Sequence, residues 1–163
     1  MTAQGRLMTL KPDMLCSAIA SAPASALKPA TTVGEALKTL NEDRVLAIPV
    51  VDEGGRYLGM FGKRRLIAAL LPKVLSVKVH GVEIGETAHL GFITETLGDI
   101  HERLAAIAGE PVEKHMDTDV TLLRPETPLS HALFILHKHR NFLPVVCHDG
   151  RLAGVISTWD VFE

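Results

Sequence analysis

Leu143-Pro144-Val145-Val146-Cys147-His148-Asp149-Gly150-Arg151-Leu152-Ala153-Gly154-Val155-Ile156-Ser157-Thr158-Trp159-Asp160 is two short apolar runs around an Asp-Gly turn, then a hydroxyl and an acid three residues apart. Strands flanking such a turn make a hairpin. The same text stands earlier in the chain. Pro49-Val50-Val51 answers Pro144-Val145-Val146, Gly55-Arg56 answers Gly150-Arg151, and Gly59 answers Gly154, all 95 positions apart. Upstream, Lys28-Pro29-Ala30-Thr31-Thr32-Val33-Gly34-Glu35-Ala36-Leu37 answers Arg124-Pro125-Glu126-Thr127-Pro128-Leu129-Ser130-His131-Ala132-Leu133 at an offset of 96. An internal repeat on this scale makes the 163 residues two small related units. Each copy is then a control for the other.

Working outward from the hairpins, each copy predicts strand, helix, strand, strand, helix. Thr32 with Glu35 forms a capping box before the apolar face Ala36, Leu37 and Leu40. In copy two, Thr127 caps with Pro128 at the first helical position, and Ala132, Leu133 and Leu136 repeat the face. The strands are Ala47 to Val51 and Phe142 to Val146, with Pro49 and Pro144 near their starts, where a missing N–H is tolerable. A helix from about Lys63 to Leu71 stops at Pro72. The expected division is an N-terminal segment 1–15, unit one 16–71, a connector 72–111 and unit two 112–163 with a shortened final helix. In the connector, Ile93, Leu97, Ile100, Leu104 and Ile107 predict an amphipathic helix over about 94–108, ended by Gly109 and Pro111. Val74 to Ile84 is apolar at uneven spacing and decides between neither strand nor helix. Either layer alone is too small to bury its faces, so pairing of the copies completes the core.

Composition narrows the function. Apolar residues make up 47% and charged residues 22%, a globular balance. A net charge of −2 leaves no basic footprint for nucleic acid, and one Trp with one Tyr makes no base-stacking platform. No apolar run reaches the ~18 residues of a membrane helix. Cys16 and Cys147 make no disulfide framework and read as reduced thiols, Cys147 at a surface or edge. The stretch from Arg6 through Ala26 faintly resembles a secretory leader. Against that, Cys16 to Leu27 lies in register with Val112 to Leu123, and a removable leader has no reason to recur mid-chain. The expected compartment is the cytoplasm.

This order of elements, with Pro-Val-Val, a turn, Gly-x-hydrophobic-hydrophobic, Ser or Thr and an acid, resembles the cystathionine-β-synthase-type (CBS) domain. Two copies resemble a CBS pair. Copy two is the closer match; copy one matches through Gly59 and then departs. The matches cover about two-thirds of the chain, leaving out the connector. The resemblance implies an α/β (α+β) fold of two β-α-β-β-α units packed by their sheets with pseudo-twofold symmetry, plus a helical connector. It also implies clefts that take adenine-containing ligands such as AMP, ADP, ATP or S-adenosylmethionine, none of them a required cofactor. A homodimer that regulates an enzyme or transporter without catalysing a reaction is implied as well.

Ser157 and Asp160 are the expected centre of the site. A carboxylate can accept hydrogen bonds from both hydroxyls of a ribose, and Ser157 opens a helix whose free N–H groups favour an anion. The same pair also makes a good helix cap, and the two roles can coexist. Phe142, Leu143 and Pro144 would face the adenine, or else are plain core. Thr127 matches a ligand-contacting family position, or is an N-cap. In copy one, Gly62 stands for Ser157 and Arg65 for Asp160, and an arginine accepts nothing from a diol. Lys63, Arg64 and Arg65 there, and Arg140 between His139 and the second hairpin, are candidate phosphate partners or a solvated face.

His137 and His139 are two apart and diverge on a helix, and the remaining histidines lack ligand spacing, so no metal site is expected. No nucleophile with a fixed base stands out. Two functions remain: a ligand sensor working mainly through copy two, and an interaction or dimerisation module without a ligand.

Overall fold

The computed structural model describes residues 11–71, 78–79, 82–83, 97–139 and 142–162 of the chain. Copy one supplies helix α1 (Val33–Glu42), strands β1 (Ala47–Val51) and β2 (Tyr57–Gly62), and helix α2 (Lys63–Leu70). The connector adds a minimal antiparallel pair, β3 (Lys78–Val79) with β4 (Val82–Glu83), and helix α3 (Leu97–Ile107). Copy two supplies α4 (Leu129–His139), β5 (Phe142–Val146), β6 (Leu152–Ser157) and α5 (Thr158–Phe162). The mixed helix-and-strand class read from the sequence is the one that forms.

The α1 capping box is complete. The Glu35 amide donates to Thr32 Oγ1 at 3.2 Å and the Thr32 amide donates to Glu35 Oε2 at 3.1 Å. These bonds hold the Glu35 carboxyl below the usual range. Copy two departs from the expected cap. Thr127 Oγ1 accepts from the Arg124 amide at 2.9 Å, closing the turn before the helix, as Thr31 does for Lys28 in copy one. The residue aligned with Thr32 is Pro128, which has no hydroxyl. Below the caps, Val33, Ala36 and Leu40 are buried on α1, and Leu129, Ala132 and Leu136 on α4.

The hairpins are near-replicas. Ala47 lies opposite Gly62 and Phe142 opposite Ser157, and the register slips between Val50 and Val51 as it does between Val145 and Val146. Gly55 and Gly150 turn at φ of +79° and +87°, a left-handed backbone that L side chains resist. The expected leading strand of each copy shrinks to one residue. Leu27 bridges Val50 and Leu123 bridges Val145, both parallel. Two prolines explain this: extending either ladder backwards requires an N–H on Pro49 or Pro144, and extending it forwards requires one on Pro29 or Pro125. Pro49 and Pro144 sit mid-strand rather than at the strand start.

The lead-ins change places. Cys16 and Ser17 of the first donate to the Thr127 and Pro125 carbonyls of copy two at 2.8 and 2.9 Å, and Ser21 pairs with Val155. Val112 and Glu113 of the second donate to the Thr31 and Pro29 carbonyls of copy one, and Asp117 pairs with Met60. Each segment then returns to its own hairpin at Leu27 or Leu123. The two cores are mixed accordingly. One gathers Cys16 and Ile19 with Leu123, Leu129, Ala132, Leu136, Leu143, Val145, Ile156 and Val161. The other gathers Val112 with Leu27, Val33, Ala36, Leu40, Ile48, Val50, Phe61 and Leu66. Burial pushes the Cys16 thiol pKa up, and both cysteines are free.

The hairpin tips also meet. The Tyr57 amide donates to the Gly150 carbonyl at 3.0 Å and the Leu152 amide to the Gly55 carbonyl at 3.1 Å, a symmetric exchange across the pseudo-twofold. Helix α3 ends against α1, with Val33 and Gly34 donating to the Glu110 and Ala108 carbonyls at 2.9 Å. Its Arg103 Nη1 closes the end of α2 by donating to the Leu70 carbonyl at 2.8 Å. The part of the expected connector helix before Leu97, including Ile93, lies outside the described residues. Among the described residues no helix is long and apolar enough to cross a membrane.

Candidate functional site

Strand β6 ends at Ser157, and the chain turns at once into α5, which returns Asp160 over the strand end. Asp160 Oδ2 accepts from the Ser157 amide and from Ser157 Oγ, both at 2.6 Å. Asp160 Oδ1 accepts from Ser21 Oγ at 2.8 Å. Ser21 is where the exchanged lead-in pairs with β6, so the carboxylate ties the end of copy two to the start of the chain. Cap and candidate grip are therefore one group. The helix-end attraction for an anion expected at Ser157 is offset, because the Ser157 amide at the start of α5 already donates to a carboxylate.

Asp160 borders an open cavity of about 160 Å³. The crossing segment Ser21 to Ser25 forms one wall, and Val45 with Ala47, Ile48 and Pro49 of copy one another. Phe142, Val155, Ser157 and Asp160 of copy two close it. Asp160 is its only charged lining residue among those described. The cavity is thus a mixed apolar and hydroxyl-lined hollow with one anionic corner, made by both copies.

The other expected residues divide. Phe142 lines the cavity, but Leu143 is fully buried and Pro144 nearly so, in the interior. Their counterparts from copy one, Ile48 and Pro49, are as deeply buried but border the cavity, which lies where the starts of β1 and β5 meet the end of β6. Thr127 is engaged at its turn with Arg124 and Cys16 and lines neither described cavity. Lys63 donates its amide to the Leu46 carbonyl at 3.0 Å, and its side chain lines neither cavity. Arg64 and Arg65 line a second, larger cavity of about 710 Å³. Arg140 lies outside the described residues. Sequence reasoning missed Ser21 and Ser25. Their signal was present: the lead-in is part of the repeat, and Ser21 aligns with Asp117 as Ser25 aligns with Thr121.

Comparison with known proteins agrees with this architecture. The profile of the CBS domain matches residues 16–72 and 112–163. The chain is 30% identical over 160 residues to the CBS domain-containing protein CBSX1, chloroplastic, of Arabidopsis thaliana, covering 96% of this chain and 61% of that protein. It is 29% identical over 165 residues to the A-adding tRNA nucleotidyltransferase of Geobacter sulfurreducens, covering 98% of this chain and 15% of the enzyme. It therefore spans about three-fifths of the first relative and a small part of the second. Among solved structures, a CBS domain-containing protein from Bacillus anthracis superposes with a TM-score of 0.69 at 16% identity, covering 92% of this chain and 91% of that one. CBSX2 in complex with AMP superposes at 0.61 with 23% identity, covering 90% and 92%. The CBS domain pair of protein MJ0100, in complex with 5′-methylthioadenosine and S-adenosyl-L-methionine, superposes at 0.59 with 19% identity, covering 92% and 94%.

Proposed function

Because the chain belongs to the CBS domain family, we propose that its two units form a regulatory module that senses an adenine-containing ligand in the cavity at Asp160. The observation that carries this reading is a carboxylate on the wall of an open hollow built from both copies. The ligand class is that named for two similar folds, AMP with CBSX2 and S-adenosyl-L-methionine with MJ0100. The ribose hydroxyls donate to Asp160, displacing the Ser21 hydroxyl, while Ala47, Ile48, Pro49 and Phe142 cover the base. Sites that enclose a drug-sized ligand usually hold ~300–1,000 Å³. At about 160 Å³ this one must widen. The wall formed by Ser21 to Ser25 is also the segment that crosses between copies, so widening it alters how the copies are joined. That is the signal passed to a regulated enzyme or transporter, through a homodimer.

Calorimetric titration with AMP, ADP, ATP and S-adenosylmethionine tests the reading. At least one binds the wild type, and Asp160→Ala weakens it tenfold or more, since hydrogen bonds to a charged acceptor contribute about 1.5–3 kcal/mol. Asp160→Asn, which keeps the shape, is the folding control. No binding by any of the four, or equal affinity in a folded variant, contradicts it. A second reading, an interaction module without a ligand, draws on the saturation of Asp160 by Ser157 and Ser21 and on the exposure of Ile67, Phe134 and Trp159. An unmoved melting temperature across the panel favours it, because a ligand at a hundred times its Kd adds about 2.7 kcal/mol.

A further inference from the structure

The pseudo-twofold that relates the copies also relates the two cavities, and their chemistry is inverted. Around the larger one, Gly62 replaces Ser157, Arg65 replaces Asp160, Asp117 replaces Ser21 and Thr121 replaces Ser25. Ala47 and Phe142, partners under the symmetry, border both cavities. Among the described lining residues, the smaller cavity has one carboxylate as its charge, and the larger has Arg64, Arg65 and Lys138 against Asp117, a formal excess of two positive charges.

We propose that this larger cavity binds a compact polyanion, a small molecule carrying two or more phosphate groups, independently of any nucleoside grip. Its volume of about 710 Å³ falls within the range of sites that enclose small ligands. The cations come from two directions. Arg64 and Arg65 stand on the first turn of the eight-residue α2, and Lys138 stands near the end of α4 in the other copy. Gly62, which precedes α2, has no side chain to cap it, so no local acid competes for the positive helix end. Among the described residues no carboxylate lies within ion-pair distance of Arg64 or Arg65. Lys138 Nζ sits 4.9 Å from the Phe134 ring centroid, a contact that leaves its N–H donors available. Arginine donates in a planar fork that matches phosphate, and no group in Arg65's position accepts from a ribose. Asp117, the one carboxylate among the described lining residues, stands against three cations, so positive charge rather than a sugar grip dominates the wall.

Titration with inorganic tripolyphosphate and orthophosphate tests the inference. Tripolyphosphate binds the wild type about tenfold or more tighter than orthophosphate, and its affinity falls as salt rises. Arg64→Ala with Arg65→Ala weakens it by about tenfold or more, and so does Lys138→Ala, which removes a cation from the other copy. All three side chains are exposed and alanine favours helix, so these variants keep the fold. Asp160→Ala leaves tripolyphosphate affinity within about twofold, which separates this site from the nucleoside site: loss of AMP binding there says nothing against it. Absence of tripolyphosphate binding to the wild type overturns the inference, as does binding that survives loss of the three cations.

Discussion

A carboxylate offers about four lone-pair positions, and at Asp160 three are taken, two by Ser157 and one by Ser21. The Ser157 pair is local and holds the turn into α5 in any state. The Ser21 bond is long-range and exchangeable, since a ribose hydroxyl can replace a serine hydroxyl at little net cost. A single acid can thus serve as both cap and grip. The capping box at Thr32 and Glu35 is the purely structural counterpart. Thr32→Ala is expected to lower stability by about 1 kcal/mol, read from denaturant unfolding. Its acid also sets a pH dependence. Folding lowers the Glu35 pKa, so its stabilisation is complete above the unfolded pKa and is lost as pH falls through the lower folded one. Unfolding free energy measured across the acid range should fall less steeply in Glu35→Gln than in the wild type. An unchanged acid limb would mean the box does not persist in solution.

At the scale of elements, the exchanged lead-ins explain two glycines. A Cβ on Gly154 would lie 2.7 Å from the Ser21 carbonyl oxygen, and one on Gly59 would lie 2.9 Å from that of Asp117. Both strands need glycine because the other lead-in runs against them. Gly154→Ala should cost about 1–3 kcal/mol in unfolding experiments, since neither backbone can move without breaking the Ser21–Val155 pair. Stability equal to the wild type would show that the lead-in does not pack there. The hairpins, α1 and the doubled architecture were legible because each rests on local chemistry: a Gly turn, a capping box, apolar spacing. The shrunken leading strand was not, because it depends on two prolines acting on a partner ladder. Copy two's cap was misread for a related reason. Thr127 aligns with Thr31, and the position of the true cap holds a proline.

For the whole molecule, the repeat made visible which residues differ between the copies, but not where they meet. Ser157, Asp160 and Phe142 were legible as a group because they are close in sequence. Ser21 and Ser25 join them through the exchange of lead-ins, and Ile48 and Pro49 through the packing of the two copies, long-range arrangements that no local pattern encodes. The result is a symmetric body with asymmetric hollows, one anionic and small, the other cationic and large. The most direct test of the sugar grip is a calorimetric titration comparing AMP with 2′-deoxy-AMP. AMP should bind, with the deoxy form about tenfold or more weaker, because one donor to Asp160 is gone. Equal affinities, or no binding of AMP, would contradict the account.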